Sequence, residues 1–444
     1  MRAIFRSLLA RPMRLGWTLG PILLAAVALA LIARHGFPTG KPLPVPLVQT
    51  NGFDPVIASA IAEARAAAVK EPKSASARSR LGMVLLAHDV RAPASECFAQ
   101  AAALDPKEAR WPYLLALAEL PEKTDAAVTN LGRALPLFPS AVTIPRLKLA
   151  NTLLSAGRMP EAEALYREVL DREPGSSLAR LGLGKLAASR GQFKEAADLL
   201  AAAKADPCTR KAAHRLLLTV SQRLGRTNEA AQLAEALAGM PNDLPLPDPY
   251  LAEVQEFKTG LDAWLDEADA LLKAGQWNAA VERLDRIIRT YPKSDRALFF
   301  LGRARFRLND LPGAEEALAK AAELAPGSVE ALVQLGVVQL ARGRPADAQR
   351  SFRRAIEAKP NLPEGWFNLG LALGSENRAE STAAFREAIR LRPTFAEAYL
   401  GLAVVLRADG KDAAATAELN HALELHPPEA LKQKLLEQLK LVGK

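Results

Sequence analysis

Cysteine and aromatic residues are scarce in this chain of 444 residues. The two cysteines, Cys97 and Cys208, lie far apart, and the sequence has no CxxC or other Cys/His spacing that binds zinc. This excludes a disulfide framework and a zinc site. Only 14 Phe, 5 Tyr and 5 Trp accompany abundant Ala and Leu, a composition typical of closely packed helices rather than of sheets. We therefore expect an all-α protein.

The sequence also lacks the motifs of common catalytic and nucleotide-binding sites. No GxGxxG, GxxxxGK[ST], HExxH, GxSxG or DxDxDG occurs. The five histidines fall at unrelated positions, and we interpret them as solvated surface residues. Adjacent carboxylates such as Glu315 and Glu316 are interpreted as charges on a helix surface. We predict a non-catalytic protein with no cofactor and no metal site.

A basic surface of the kind that binds nucleic acid is missing, although the net charge is +9. Five arginines and no acidic residue lie within positions 1–40, so the other 404 residues carry only +4. No stretch dense in Lys and Arg and interleaved with aromatics follows. We therefore predict no nucleic-acid partner.

One long uncharged run is present, at residues 15–33, after a basic segment at residues 1–14. Nineteen helical residues reach about 28 Å, close to the thickness of a bilayer's hydrocarbon core. The preceding arginines place the N-terminus in the cytoplasm and the body in the periplasm or outside the cell. Because Pro21 shortens the strictly apolar run, a cleaved signal peptide and a secreted body remain the alternative.

Proline-rich stretches divide the rest of the chain. The linker at residues 34–53 contains GFPTGKPLPVP, which favours an extended spacer that holds the body off the membrane. Asp54-Pro55 and Asp248-Pro249 each pair an N-cap residue with a proline at the first helical position. The predicted segments are a capping helix with a first array at 54–241, a break and connecting helix at 242–260, a second array at 261–429 and a C-terminal capping helix at 430–444. Residues 250–274 are predicted to form one long helix.

Most of the body repeats with a period of 34 residues. Gly-x11-Ala-x3-Leu-x2-Ala-x4-Pro recurs with the same offset at every position, and Trp366-x2-Leu369-Gly370 has the matching start of another unit. Small residues allow two helices to approach closely, Leu or Phe fills the space between units, and Pro ends the second helix. Examples are Gly302, Ala314, Leu318, Ala321 and Pro326, then Gly336, Ala348, Phe352, Ala355 and Pro360, with the same spacing from Gly82 and from Ala403.

This pattern resembles the tetratricopeptide repeat, and the resemblance covers nearly the whole body. It implies a right-handed α-solenoid of about ten antiparallel helix pairs, which follows the N-terminal transmembrane helix. A glycine between the two helices of a pair fits a left-handed helix cap. These glycines are Gly157, Gly191, Gly225, Gly275, Gly343 and Gly410.

In the family, the first helices of the pairs line a concave surface that generally binds peptides or partner helices. We call its predicted lining the inner row: the third residue before, the first after and the fourth after each Gly336-type position. In the second array these residues are mainly apolar with isolated arginines, which suits an apolar or amphipathic segment bearing an acid. They are Leu265, Asp269, Leu272, Phe299, Arg303, Phe306, Val333, Val337, Leu340, Phe367, Leu371, Leu400, Val404 and Arg407.

The first array has a more polar inner row, in which Asn151, Lys185 and Arg215 are candidates to meet a carboxylate. The two-carboxylate clamp of the chaperone-binding members is not reproduced, because Gly182 and Leu216 stand where that clamp needs polar residues. The other inner-row residues of this array are Leu147, Leu154, Leu181, Ala188, Thr219 and Gln222.

We therefore predict a membrane-anchored interaction scaffold or assembly factor of an envelope complex, which binds a peptide or helix in the groove. The alternative is an exported repeat protein that associates with itself as a homo-oligomer. In that case the inner-row side chains pack against one another and take no ligand.

Overall fold

The computed structural model describes residues 43–120, 122–374 and 376–442, and in these ranges the regular structure is entirely helical. The chain forms two compact units that divide between Lys258 and Thr259. Within each unit most helices pack chiefly against their neighbours along the chain, as expected for a row of helix pairs. The all-helical prediction is confirmed for the described residues.

The first unit contains twelve α-helices and one short 3-10 helix within its described residues. The α-helices are α1 Pro55–Lys70, α2 Ala75–Ala87, α3 Arg91–Leu104, α4 Arg110–Glu119, α5 Thr124–Ala134, α6 Ile144–Ser155, α7 Met159–Arg172, α8 Ser177–Ser189, α9 Phe193–Ala203, α10 Arg210–Arg223, α11 Thr227–Ala238 and α12 Pro249–Gln255; the 3-10 helix is Leu135–Leu137.

The second unit contains eleven α-helices within its described residues. These are α13 Leu261–Lys273, α14 Trp277–Thr290, α15 Asp295–Arg307, α16 Leu311–Leu324, α17 Val329–Ala341, α18 Pro345–Ala358, α19 Pro363–Leu373, α20 Arg378–Leu391, α21 Ala396–Ala408, α22 Asp412–Glu424 and α23 Glu429–Leu441.

The turns inside the pairs have the predicted left-handed backbone. Glycines at this position have φ between +70° and +76°, a region that only glycine occupies without strain. Two pairs use Asp89 and Asn309 instead, with φ of 60° and 62°. Asp and Asn are the residues that tolerate this region best after glycine, so one turn geometry serves both sequences.

Close approach within each pair depends on the predicted small residue. A Cβ atom added to Gly336 would lie 2.5 Å from Cε1 of Phe352, and one added to Gly302 would lie 2.4 Å from Cγ of Leu318. The Phe352 and Leu318 side chains are fully buried. The 34-residue pattern thus marks where one helix presses a large side chain onto the backbone of its neighbour.

The C-terminal helix α23 ends the second unit. Leu435 is buried against the helices before it, and Leu431 and Leu439 pack beside it. Lys432 and Glu437, on the other side of the helix, are exposed. An apolar inner side and a polar outer side are what a terminal repeat helix needs.

The predicted long helix over residues 250–274 is wrong. Helix α12 ends at Gln255, and α13 begins at Leu261. Gly260, between them, has φ of 95°, which a continuous helix does not allow. Asp248 caps α12 as expected, because its carboxylate accepts hydrogen bonds from the amides of Tyr250 (3.0 Å) and Leu251 (3.1 Å).

The described end of the proline-rich linker is not a free spacer, because residues 43–46 are bound to the first unit. Arg78 Nη2 donates to the Leu43 carbonyl (2.8 Å), and Nη1 donates to Oε1 of Gln100 (2.8 Å). Gln100 Nε2 in turn donates to the Pro44 carbonyl (3.2 Å). With 1% of its surface exposed, Arg78 is a buried cation held by neutral acceptors. It connects the linker to α2 and α3.

Replacing Arg78 with alanine is expected to lower the free energy of unfolding of the first unit by about 1–3 kcal/mol, because buried acceptors lose their donor. Hydrogen exchange at residues 43–48 should rise at the same time. Urea denaturation and exchange mass spectrometry measure both effects. Lys70→Ala, at an exposed position of α1, is the control and should change neither. Unchanged exchange at 43–48 in Arg78→Ala would contradict this role.

No helix within the described ranges is long and apolar enough to span a membrane. The segment predicted to do so, residues 15–33, lies outside the described residues.

Candidate functional site

The inner row of the second unit lies on helices α13, α15, α17, α19 and α21, which are the first helices of their pairs. Two of its apolar residues are largely open to solvent: Leu371 is 46% exposed and Val404 is 40% exposed. They occupy the same position in consecutive pairs, directly after Gly370 and Ala403. Exposed aliphatic side chains at equivalent positions form a repeated apolar strip.

Of the remaining apolar candidates, Leu265 and Leu272 are buried in the core, so the prediction that they line the groove is wrong, and the others are half-buried between neighbouring pairs. Phe299, Phe306 and Val333 pack on one cluster of buried residues, and Val333 also joins Val337 and Leu340 on the next cluster. The Phe367 ring centroid lies 5.9 Å from that of Phe385 and 5.0 Å from that of Phe395. These side chains thus fill space between repeats and present only their edges on the inner row.

The two arginines of this row are available for a ligand, whereas Asp269 pairs with Lys273 (2.5 Å). Arg303 is exposed and lies over the Phe299 ring, 5.7 Å from its centroid. Arg305, by contrast, pairs with Asp285 (3.5 Å) and Asp310 (3.8 Å). Neither Arg303 nor Arg407 forms an ion pair with any carboxylate in the described ranges. An unpaired cation beside an apolar strip is suited to an acidic amphipathic segment.

A shallow pocket of about 240 Å³ adjoins Phe299 at the start of α15 and α17. Phe300 contributes a second ring, 6.0 Å from Phe299 between centroids. Arg296 and Glu330 line the polar side. This pocket can hold one side chain of a bound segment.

In the first unit the three polar candidates do not converge on one point. Asn151 Oδ1 accepts a hydrogen bond from the Tyr166 hydroxyl (2.6 Å), so it is engaged within its own helix pair. Burial lowers the pKa of the Lys185 ammonium, and the carboxylate of Asp243 opposes that shift. Arg215 is exposed. The structure therefore does not bring the three side chains together as one carboxylate-binding site.

Asp243 belongs to a stretch that we call the return segment, residues 242–258. Its carboxylate accepts hydrogen bonds from the amides of Lys211 (2.6 Å) and Ala212 (2.9 Å) in the first turn of α10. From there the segment reaches α4 and then α2, so it runs back towards the start of the unit. The sequence predicted a break and a connecting helix here, but not that the segment packs on the first unit.

Two aromatic residues of the first unit hold the return segment. The Tyr113 hydroxyl donates to Oδ2 of Asp248 (2.6 Å), and the Tyr113 ring meets Tyr250 at 5.2 Å between centroids. Phe138 is 5.0 Å from Tyr250. Burial and the Asp248 carboxylate both raise the pKa of Tyr113, so its phenol keeps its proton and acts as a donor.

Sequence reasoning also missed an ion pair that joins consecutive repeats. Glu315, interpreted as a surface charge, is only 8% exposed. It pairs with Arg342 and with Arg344 (2.7 Å), both in the turn of the next pair. Glu163 and Arg190 form the same contact at the equivalent positions of the first unit, at 2.5 Å. The available signal was an arginine 27 residues after a glutamate in both places.

Changing Glu315 to glutamine is expected to lower the free energy of unfolding of the second unit by about 1–2 kcal/mol, because two arginines lose a charged acceptor. The neighbouring Glu316 is exposed and pairs only with Lys320, four residues on. Glu316→Gln should therefore cost less than about 0.5 kcal/mol. Urea denaturation followed by circular dichroism distinguishes the two variants, and equal effects would refute the inter-repeat role.

Within the described ranges no three His, Cys, Asp or Glu side chains are grouped as a metal site would require. Both cysteines are free thiols. Burial raises the pKa of Cys97 to about 12, so this thiol stays protonated and unreactive at neutral pH.

Cellulose synthase 1 operon protein C of Komagataeibacter xylinus is a curated relative, 32% identical over 136 residues. The match covers 27% of this chain and 10% of that protein. Among solved structures, YrrB, described as a TPR protein with an unusual peptide-binding site, is 20% identical with a TM-score of 0.37 and covers 44% of this chain and 98% of that one. MamA of Desulfovibrio magneticus RS-1 is 21% identical with a TM-score of 0.36, over 37% of this chain and 94% of that one.

Models of the tetratricopeptide repeat match residues 147–207, 265–329 and 371–430, and a second model of the same repeat matches residues 305–367. Together these matches extend over just over half of the chain. They fall on the helix pairs that carry the 34-residue pattern. The chain therefore belongs to the tetratricopeptide-repeat family.

Proposed function

We propose that this protein is a non-catalytic interaction scaffold that binds an apolar or amphipathic acidic segment along the inner row of its second unit. The observation that supports this most is the exposure of Leu371 and Val404 at equivalent positions of consecutive pairs. Family membership supports the general role, since tetratricopeptide-repeat proteins are generally protein–protein interaction scaffolds. We also propose that the chain forms about ten helix pairs with right-handed superhelical winding.

The unpaired arginines define the chemistry of the partner. Arg303 and Arg407 lie on either side of the apolar strip in sequence order, so the partner presents acids around aliphatic or aromatic residues. A preformed helical surface loses little conformational freedom on binding, which favours capture of a flexible segment. Binding that depends on these arginines should weaken as salt is raised.

We further propose that residues 15–33 anchor the body on the outer side of a membrane, where it serves an envelope complex. The support is the uncharged run itself and the four arginines that precede it. Carbonate extraction of membranes separates an anchored protein from a secreted one. Recovery in the soluble fraction of a chain that lacks the N-terminal segment would favour the cleaved signal peptide.

The groove is tested with Leu371→Asp/Val404→Asp in the full chain, by crosslinked co-purification from membranes. Both side chains are exposed, so folding should be retained, and circular dichroism checks this. The substitutions place charges where the apolar residues of the partner would bind. We therefore expect the partner identified with the wild type to bind the variant at least tenfold more weakly. Leu324→Asp, at a 43% exposed position on the second helix of a pair, is the matched control and should keep the partner.

Charge reversal at Arg303 provides an independent check, because Arg303→Glu should weaken binding and reduce its salt dependence. If the same partners persist in every variant, the inner row of the second unit is not the binding surface. If instead the heterologous partners persist and self-assembly changes, the self-associating alternative holds.

A further inference from the structure

The inner face of the first unit is covered at α2 and α4, whereas Asn151, Lys185 and Thr219 of later pairs are exposed. Met83 and Leu117, at the same repeat position as Leu371 and Val404, are buried. The cover is the return segment, whose helix α12 packs on α2 and α4. Val254 of α12 is completely buried there. The first unit therefore already contains a helix bound on its inner face.

The contacts of this bound helix are those of a recognised ligand rather than of a repeat. Asp248 at its start accepts the Tyr113 hydroxyl, and Tyr250 enters the space between Tyr113 and Phe138. Two turns later, Phe257 lies under the Arg80 guanidinium, 5.7 Å from its carbon to the ring centroid. None of these residues follows the 34-residue pattern.

Charge complementarity also distinguishes this contact. The return segment carries Asp243, Asp248, Glu253 and Glu256 against a single Lys258. The surface under it supplies cations: Arg110 Nη1 lies 3.3 Å from Oε1 of Glu253. Arg110 is fixed in turn by Glu108 (3.1 Å) and by stacking on Trp111 at 4.8 Å. An acidic amphipathic helix is thus matched to a basic, aromatic groove.

The return segment is joined to the array by an irregular stretch that is bound at its start, where the Leu244 amide donates to the Pro207 carbonyl (3.0 Å) and Asp243 accepts from the first turn of α10. Pro245 and Pro247 have no amide hydrogen to donate, and Leu244 is 59% exposed. Within α12 only Val254 is fully buried, and Ala252 and Gln255 are exposed. Release of α12 breaks its contacts with α2 and α4, which are separate from the contacts between consecutive helices of the stacked pairs.

We propose that the inner face of the first unit is a second peptide-binding groove. In the resting molecule it is occupied by residues 248–257, which act as an intramolecular ligand. It accepts from a partner a segment of the same chemistry: a helix-capping carboxylate, an aromatic residue two positions later, an acid at the fifth position after the cap and an aliphatic residue at the sixth. Because residues 248–257 are tethered to the groove, their effective concentration is high. A partner segment must bind tightly enough to compete with them.

The test uses a fluorescent peptide of residues 246–259 and the full-length protein. In a released variant, Tyr250→Ala/Val254→Asp, the resident helix loses both of its anchors. We expect this variant to bind the peptide at least tenfold more tightly than the wild type, measured by fluorescence anisotropy. Gln255→Ala, an exposed change on the same helix, is the control and should behave as the wild type.

A third variant locates the binding surface. Adding Arg110→Glu to the released variant should weaken the peptide at least tenfold, because Glu253 loses its cation. A folded released variant that does not bind the peptide would overturn the proposal, since the contact would then be ordinary intramolecular packing. Equal affinity in wild type and released variant would overturn it as well, because the groove would not be held in cis.

A measurement on the wild type keeps the proposal testable if the released variant does not fold. Unlabelled peptide at millimolar concentration should compete with the resident and speed hydrogen exchange of the α12 amides, with no change in α17 of the second unit. If the peptide leaves hydrogen exchange of the α12 amides unchanged, then it does not displace residues 248–257 and the proposal is refuted. Neither result bears on the second unit, whose groove is tested separately by Leu371 and Val404.

Discussion

Replacing Phe385 with alanine is expected to destabilise the second unit by about 3–5 kcal/mol, the largest effect expected for any single side chain considered. The ring is buried between two glycines of successive pairs. Added Cβ atoms at Gly370 and Gly401 would lie 2.9 Å and 2.5 Å from Cε1 of Phe385. Removing the ring opens a cavity on both sides, which two rigid helices cannot close.

The measurement is urea denaturation followed by circular dichroism, with the first unit serving as an internal reference. Leu324→Ala removes an apolar side chain that is 43% exposed, and it should cost less than about 1 kcal/mol. A loss below about 1 kcal/mol in Phe385→Ala would mean that the pairs approach each other freely when the ring is absent.

Gly182→Ala is expected to destabilise the first unit by about 2–3 kcal/mol, although alanine is normally the better helix former. An added Cβ would lie 2.3 Å from Cζ of Tyr166. The tyrosine ring cannot move aside, because its hydroxyl is hydrogen-bonded to Asn151 at 2.6 Å. Overpacking therefore outweighs the gain in helix propensity.

Gly132 is the matched control, in the last turn of α5 of the same unit. Its Cβ position has no atom within 4 Å, and the residue is exposed. Gly132→Ala should raise the free energy of unfolding by up to about 1 kcal/mol. Thermal denaturation of the two variants should give shifts of opposite sign. Shifts of the same sign would show that the Tyr166 ring moves to make room for the added methyl group.

The regular parts of the fold were predictable because they depend on local spacing. Small residues at the Gly336 position, large ones at the Phe352 position and glycine in the turns repeat along the chain, and each has a steric cause that acts within one or two repeats. The inner-row helices were located by the same register. How far each inner-row side chain is exposed was not predictable, since it depends on rotamers between neighbouring pairs.

The return segment was not predictable, because its contacts are long-range and do not repeat. The nine residues PNDLPLPDP signal only that the period is interrupted. Nothing local to Asp248 indicates that it pairs with Tyr113, 135 residues earlier. The prediction for Glu315 was wrong for another reason. An acidic residue on a helix surface is normally solvated, but Glu315 pairs with Arg342 of the next repeat.

The Tyr113–Asp248 contact changes how the first unit can come apart. In an open row of repeats, the terminal pairs fray first and unfolding proceeds inwards. Here α4 and the last helix of the unit share a buried hydrogen bond across 135 residues, so α12 is fixed to early pairs of the row rather than to the pair that precedes it. The pairs under α12 should therefore be more stable while this helix is bound, and during synthesis α2 and α4 acquire that contact only after residue 257 has left the ribosome.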